Sequence, residues 1–205
     1  MINKSNLKNI LPLMNFKETS MSNIYSKTFS HFDGELCVDF NAEKLIYPEE
    51  IKGRERNDGF DAPENFVVFE CVNKLLDKGY RPEHIELEKE WHLGHDAKSG
   101  RADICVSSPD GDMLFIVECK TYGKEFDKAY KDTNSDGAQL FSYWQQERAT
   151  KWLVLYASDI ADNEIVWKAP TISCQDDPNV IISAKKDKTV KLFETAHTAV
   201  EKHNV

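Results

Sequence analysis

The sequence predicts an α/β fold, a mixed central β-sheet flanked by helices and entered through an N-terminal arm. Three observations carry that expectation. A helix-periodic stretch from Pro63 precedes three strand-like segments, a second helical stretch and two more strand segments, an order that sets helices against a mixed sheet. The run Met113-Leu-Phe-Ile-Val is almost wholly apolar, as a central strand covered on both faces is. The 205 residues, 40% hydrophobic and 11% aromatic, suffice for one sizeable core of ordinary globular composition.

In chain order, residues 1–61 read as an arm with short strands. Glu35 to Phe40 and Lys44 to Tyr47 are strand-like runs around an Asn-Ala-Glu turn, closed by Pro48. Glu49 to Asp61 is crowded with charge and reads as a long exposed loop. Residues 62–170 form the main domain. Pro63 suits a first helical turn with Asp61 as candidate cap, apolar positions recur to Leu76, and Gly79 supplies the stop. Strands follow at Ile85 to Leu93, Ala102 to Val106 and Met113 to Cys119. Gly123 to Gly137 reads as a polar loop and Ala138 to Arg148 as a helix. Trp152 to Ala157 and Glu164 to Trp167 read as strands. Residues 171–205 form a C-terminal extension whose apolar spacing from Val190 to His203 predicts a terminal amphipathic helix.

Bulk properties exclude several classes. No window approaches eighteen uninterrupted apolar residues, and Met1 to Met14 lacks the layout of a signal peptide. The expectation is a cytoplasmic protein with no membrane partner. The five cysteines are odd in number and form no C-x-x-C pair, so they read as reduced core residues rather than a zinc knuckle or disulfide frame. His92 and His95 have no further ligands at zinc spacing. A net charge of −9 argues against nucleic-acid binding by a broad basic surface, though not against a catalytic domain that is handed its DNA.

The chemistry-bearing segment runs Ser99-Gly-Arg-Ala-Asp103-Ile-Cys-Val, a turn, then Met113-Leu-Phe-Ile-Val-Glu118-Cys-Lys120. Glu118 and Lys120 alternate at the end of an apolar strand and so share a side. Charges there are costly unless paired or metal-bound. If the two strands pair as a hairpin, Asp103 lies beside Glu118, and two close carboxylates are the condition for holding a hard divalent cation. Magnesium, or manganese, on Asp103 and Glu118 with the backbone carbonyl of Cys119 would bind a phosphodiester and acidify water. Lys120 would orient or help deprotonate that water, or stabilise charge on phosphorus.

Asp103, the fourteen-residue gap and Glu118-Cys-Lys120 resemble the D…(D/E)-x-K signature of the restriction-endonuclease-like, PD-(D/E)xK nuclease superfamily. Glu70 resembles the additional acidic residue that many members place near the metal. Gln139-Leu-Phe-Ser-Tyr143 resembles the Q-x-x-x-Y element that follows the nuclease motif in type I restriction R subunits. The resemblance covers Pro63 to about Asp159. It implies a magnesium-dependent DNA endonuclease domain, with Asp103, Glu118, Lys120, Glu70 and Gln139 catalytic. Tyr143, Lys124 and Arg101 are the candidate DNA contacts. It also implies double-stranded DNA and the methylation and specificity subunits of a restriction–modification complex as partners. ATP would act only through a motor that this chain, without a G-x-x-x-x-G-K-[ST] loop, does not carry. The chain then reads as an N-terminal fragment.

Plainer readings stand beside these. Glu118 and Lys120 make a strand-end ion pair, Asp103 caps Gly100, Glu70 sits on an amphipathic helix and Tyr143 packs on a helix face. Lys124, Lys128 and Lys131 alternate with acids in a solvated loop. The alternative functions are a stand-alone repair or defence nuclease of the same fold, or a non-catalytic module that docks DNA or a partner.

Overall fold

The first sixty residues build more than the two short strands their pattern announces. The computed structural model describes residues 1–56, 58–91, 100–175 and 193–194. After a short helix α1 (Leu7–Ile10), the strands β1 (Lys17–Glu18), β2 (Ile24–Thr28), β3 (Glu35–Asp39) and β4 (Lys44–Ile46) form an antiparallel meander. Its inner side chains, Leu36, Val38 and Leu45 among them, join Leu11 and Phe16 in the same apolar cluster as helix α2 (Pro63–Asp77). The segment Glu49 to Asp61, expected to be exposed throughout, buries Ile51 and Phe60 and carries a 3₁₀ turn at Arg54–Arg56. Gly53 shows how tightly it is held: φ is +71°, and a Cβ there would lie 2.0 Å from the Leu87 carbonyl oxygen.

Pro63 opens α2 as expected, but Ala62 is its cap residue and no side chain caps it, so Asp61 does not play that part. Nearly every side chain from Asn65 to Asn73 is buried. The helix lies between the N-terminal meander and the central sheet, so it has apolar neighbours on two sides.

The central sheet contains β5 (Ile85–Glu90), β6 (Arg101–Ser107), β7 (Met113–Cys119), β8 (Trp152–Ala161), β9 (Glu164–Lys168), β10 (Thr171–Ser173) and β11 (Phe193–Glu194). Its order is β11-β10-β8-β7-β6-β5, with β9 paired to β8. Pairing is antiparallel except between β7 and β8, which makes the sheet mixed. All of β7 is buried, as its apolar run predicts. Strand alternation sorts the side chains: Phe115, Val117, Cys119, Val154 and Tyr156 face α2, whereas Ile116, Leu153, Leu155 and Ala157 face the helices of the β7–β8 crossover.

That crossover holds two helices, α3 (Lys124–Asp136) and α4 (Ala138–Gln146). The polar loop expected over Gly123 to Gly137 is corrected to a helix. Its apolar stripe is one position wide, with Phe126, Tyr130 and Thr133 turned inward at i, i+4 and i+7. Apart from Ala129, charged and Asn/Ser residues fill the rest and mask the period. Gly123 and Gly137, with φ of +99° and +83°, bound it.

The terminal helix expected over 190–203 is corrected where it can be seen, since Phe193 and Glu194 pair with β10 as a strand. The remainder of that segment, the end of the strand expected to reach Leu93, and His92 and His95 lie outside the described residues. All five cysteines are free and buried. Among the described residues no helix is long and apolar enough to cross a membrane.

Candidate active site

The register of β6 on β7 brings the two carboxylates together. Ile104 pairs with Val117, so one step further Asp103 stands opposite Glu118. Asp103 Oδ2 accepts the Cys119 N–H at 2.6 Å, which fixes the carboxylate against the end of β7. Glu118 is 2% exposed and sits on the α4 side of the sheet. Lys120 follows on the same side: its Nζ lies 2.7 Å from Glu118 Oε1 and 2.8 Å from Glu64 Oε1. The Lys120 N–H also continues the ladder to the Tyr156 carbonyl, at 2.8 Å.

The electrostatics follow from that packing. Burial pushes the Asp103 pKa well above the usual carboxylate range, and the Glu118 charge adds to it. Glu118 is raised by burial too, against the opposing pull of Lys120 and the Tyr143 hydroxyl. For Lys120 burial works downward, but the carboxylates of Glu118, Asp103 and Glu64 outweigh it and hold the ammonium above the ordinary lysine value. Lys120 is therefore a cation here, suited to stabilising negative charge rather than to accepting a proton.

Helix α4 supplies the second shelf of the site. The Tyr143 hydroxyl lies 2.9 Å from Glu118 Oε2 and 2.5 Å from the Arg101 carbonyl, and it accepts a hydrogen bond from Gln139 Nε2. Gln139 and Tyr143 thus act as a unit one turn apart, with Gln139 reaching Glu118 only through the tyrosine. Gly100 makes room for the ring, since a Cβ there would sit 2.8 Å from Tyr143 Cε1. Tyr143→Phe should leave the buried Glu118 short of a donor and destabilise the fold by about 1–3 kcal/mol. Urea denaturation checks this, and an unchanged midpoint would make the hydroxyl contact energetically idle.

The remaining candidates divide. The Arg101 guanidinium is committed to Glu88 and reaches Glu90 at 4.0 Å, leaving the side chain half exposed at the mouth of a cleft beside Asp103. Lys124 is exposed on the first turn of α3. The structure does not bring Glu70 to the Asp103–Glu118–Lys120 group. It is buried on the opposite face of the sheet, where it accepts the Tyr156 hydroxyl proton at 2.5 Å, with Lys74 3.8 Å away. The acid that α2 does deliver is Glu64, in its first turn, which reaches over the end of β7. Its helix-opening Pro63-Glu64 pair was the available signal, but an acid in a first turn is unremarkable on dipole grounds alone.

Two hard carboxylates, both pushed toward protonation by burial and one by the other's charge, suit a divalent cation. Among the described residues no three His, Cys, Asp or Glu side chains gather in a metal-holding arrangement. Any divalent ion held here would find two carboxylate side chains, Asp103 and Glu118, and would draw its other ligands from main-chain oxygen, water or substrate.

No curated protein matches the chain. Residues 63–158, just under half of the 205, match the family described as type I restriction enzyme R protein N terminus (HSDR_N). That segment runs from the start of α2 through most of β8 and contains every residue of the site. The part of the chain that builds the constellation is thus similar to the N terminus of type I restriction enzyme R proteins.

Proposed function

We propose that this chain carries a magnesium-dependent DNA endonuclease site of the PD-(D/E)xK type, in the R subunit of a cytoplasmic type I restriction complex. The observation that carries the reading is the meeting of Asp103, Glu118 and Lys120 at the ends of two paired strands, within the segment matched by the restriction R family. Magnesium, when bound by Asp103, Glu118 and the Cys119 carbonyl, supplies Lewis acidity to the scissile phosphate and acidifies water. The protein's own groups do the rest. Lys120, held by Glu118 and Glu64, presents a positive charge to the phosphate as negative charge grows on it. Tyr143, steadied by Gln139, keeps the Glu118 carboxylate in place. Arg101, which lines the cleft beside Asp103, and Lys124, exposed on the first turn of α3, serve as contacts to the DNA backbone. Glu70 holds Tyr156 and, through that strand, the main chain that Lys120 donates to. The methylation and specificity subunits and an ATP-driven motor would deliver double-stranded DNA to an acidic chain that lacks a broad basic surface.

One observation favours a second reading, a non-catalytic docking module: both Glu118 oxygens already have partners, Lys120 and Tyr143. Lys120→Gln separates the two. The nuclease reading expects magnesium-dependent plasmid nicking by the wild type, at least ~100-fold loss in the variant, and Mn²⁺ binding by calorimetry retained in both. A wild type that binds no Mn²⁺ and nicks nothing supports the docking module.

A further inference from the structure

The cleft beside Asp103 has two walls of different origin. One carries Glu88, Arg101 and Asp103 from the central sheet, and the other carries residues of the segment 44–65. Its volume is about 510 Å³, and its described lining holds three basic side chains against five acidic ones. Two of the basic ones, Lys44 and Arg56, come from the N-terminal layer, outside the segment that matches the restriction R family.

Both are held in place by carboxylates and left partly open. Arg56 bonds Glu90 at 2.7 Å and the Glu88 carbonyl at 3.4 Å, while Arg101 approaches the same Glu90 oxygen at 4.0 Å. Glu90 is thus shared by two guanidiniums, each about half exposed. A guanidinium has five donors in a rigid fork, so one carboxylate partner orients Arg56 without exhausting it. Lys44 Nζ is pinned 2.6 Å from Asp58 and is also half exposed. Free of the cation, the cleft is acidic and repels a phosphodiester. With Glu118 and its partner Lys120 added to the lining, six acids face four bases; a divalent ion on Asp103 and Glu118 would bring these to balance, and the fixed cations would then face an anion without net opposition.

We infer that the N-terminal layer is the second wall of a groove for the DNA backbone, with Arg56 and Lys44 contacting phosphates next to the one held at Asp103 and Glu118. This rests on the nuclease reading and adds to it the part played by residues 1–61. Binding should have an unusual sign. Divalent ions ordinarily compete with proteins for DNA phosphates, whereas here they should promote binding.

The test is fluorescence anisotropy with a short labelled DNA duplex, in Ca²⁺ and in EDTA at matched ionic strength, across a salt series. The wild type should bind more tightly with Ca²⁺. Lys44→Gln combined with Arg56→Gln should weaken Ca²⁺-dependent binding about tenfold or more and flatten the log–log salt slope by about 0.9 per lost contact. Arg56→Lys, which keeps the charge, should keep the slope. The two pairs are exposed, so their loss should leave the melting temperature nearly unchanged. Double-variant binding and slope equal to wild type would overturn the groove while leaving the nuclease reading intact. The same holds for a wild type that binds Mn²⁺ but no duplex. A wild type that binds neither Mn²⁺ nor duplex overturns both.

Discussion

Asp103→Asn is expected to abolish divalent-cation binding and DNA cleavage while making the folded protein more stable. The two effects have one origin. Asp103 is packed against Glu118 in a buried corner, and its pKa is driven up by burial and then by that neighbouring charge. An acid whose pKa is raised by folding costs stability: nothing is lost below the unfolded-state pKa, where both states are protonated, and the penalty grows as pH rises toward the folded-state value. Asparagine removes that charge and still offers an oxygen to the Cys119 N–H, which Asp103 accepts at 2.6 Å. Thermal melts at pH 7 should therefore rise by roughly 2–4 °C, the response of a chain this long to about 1 kcal/mol. The gain should shrink as pH falls into the carboxylate range. Calorimetry with Mn²⁺ should show at least ~10-fold weaker binding, the lower end of what losing even a supporting metal contact costs. A lower melting temperature would mean that the Cys119 hydrogen bond outweighs the charge penalty, and Mn²⁺ affinity equal to wild type would remove Asp103 from the metal site.

Phe69→Ala should give the largest loss of stability in the molecule, about 3–5 kcal/mol. Phe69 is 1% exposed and belongs to the apolar cluster that α2 shares with the N-terminal layer. Its ring is 5.7 Å from Phe16 and 5.4 Å from Tyr47, so a side chain of α2 anchors the N-terminal layer. Its removal should lower the denaturation midpoint. It should also make bonds in the segment 1–61 the first to be cut in limited proteolysis, because those residues lose their main aromatic anchor. Uniform proteolysis along the chain would mean that the N-terminal layer is held mainly by other contacts.

The hairpin that carries Asp103 and Glu118 was legible because everything that defines it is local. An apolar strand ending in Glu-Cys-Lys, a turn, and an Asp fifteen residues before the Glu specify both register and face. Helix α4 was legible because Leu140, Phe141 and Trp144 keep a helical period. Helix α3 was not, since Phe126, Tyr130 and Thr133 form too thin a stripe among eight or more polar positions for periodicity to register. The N-terminal layer was read as an arm because its strands are two to five residues long, and short strands gain their stability from a partner layer the pattern does not reveal.

The acid on α2 is the most instructive difference. Glu70 stands in an apolar run and is indeed buried, which drew attention to it, but burial does not say on which side of a sheet a side chain ends. That is decided by Tyr156, whose strand position turns it toward α2 and away from Glu118. Glu64 was overlooked because a carboxylate in a first turn is common, and only the position of the β7 end makes it a partner of Lys120.

The one parallel strand pairing among the described strands, between β7 and β8, also implies an order for the assembly of the site. Asp103, Glu118 and Cys119 belong to one hairpin, whose closure joins residues 16 or fewer apart. Tyr143 comes from the crossover 25 residues beyond Glu118, and Glu64 lies 56 residues from Lys120. Loop closure favours the shorter contact first. The two carboxylates are then brought face to face before the lysine's second anchor or the tyrosine arrives to relieve them, so the hairpin meets its electrostatic barrier early in folding. Refolding in the presence of a divalent cation should accelerate this stage, so that an ion bound between the two carboxylates would also act as a template for folding.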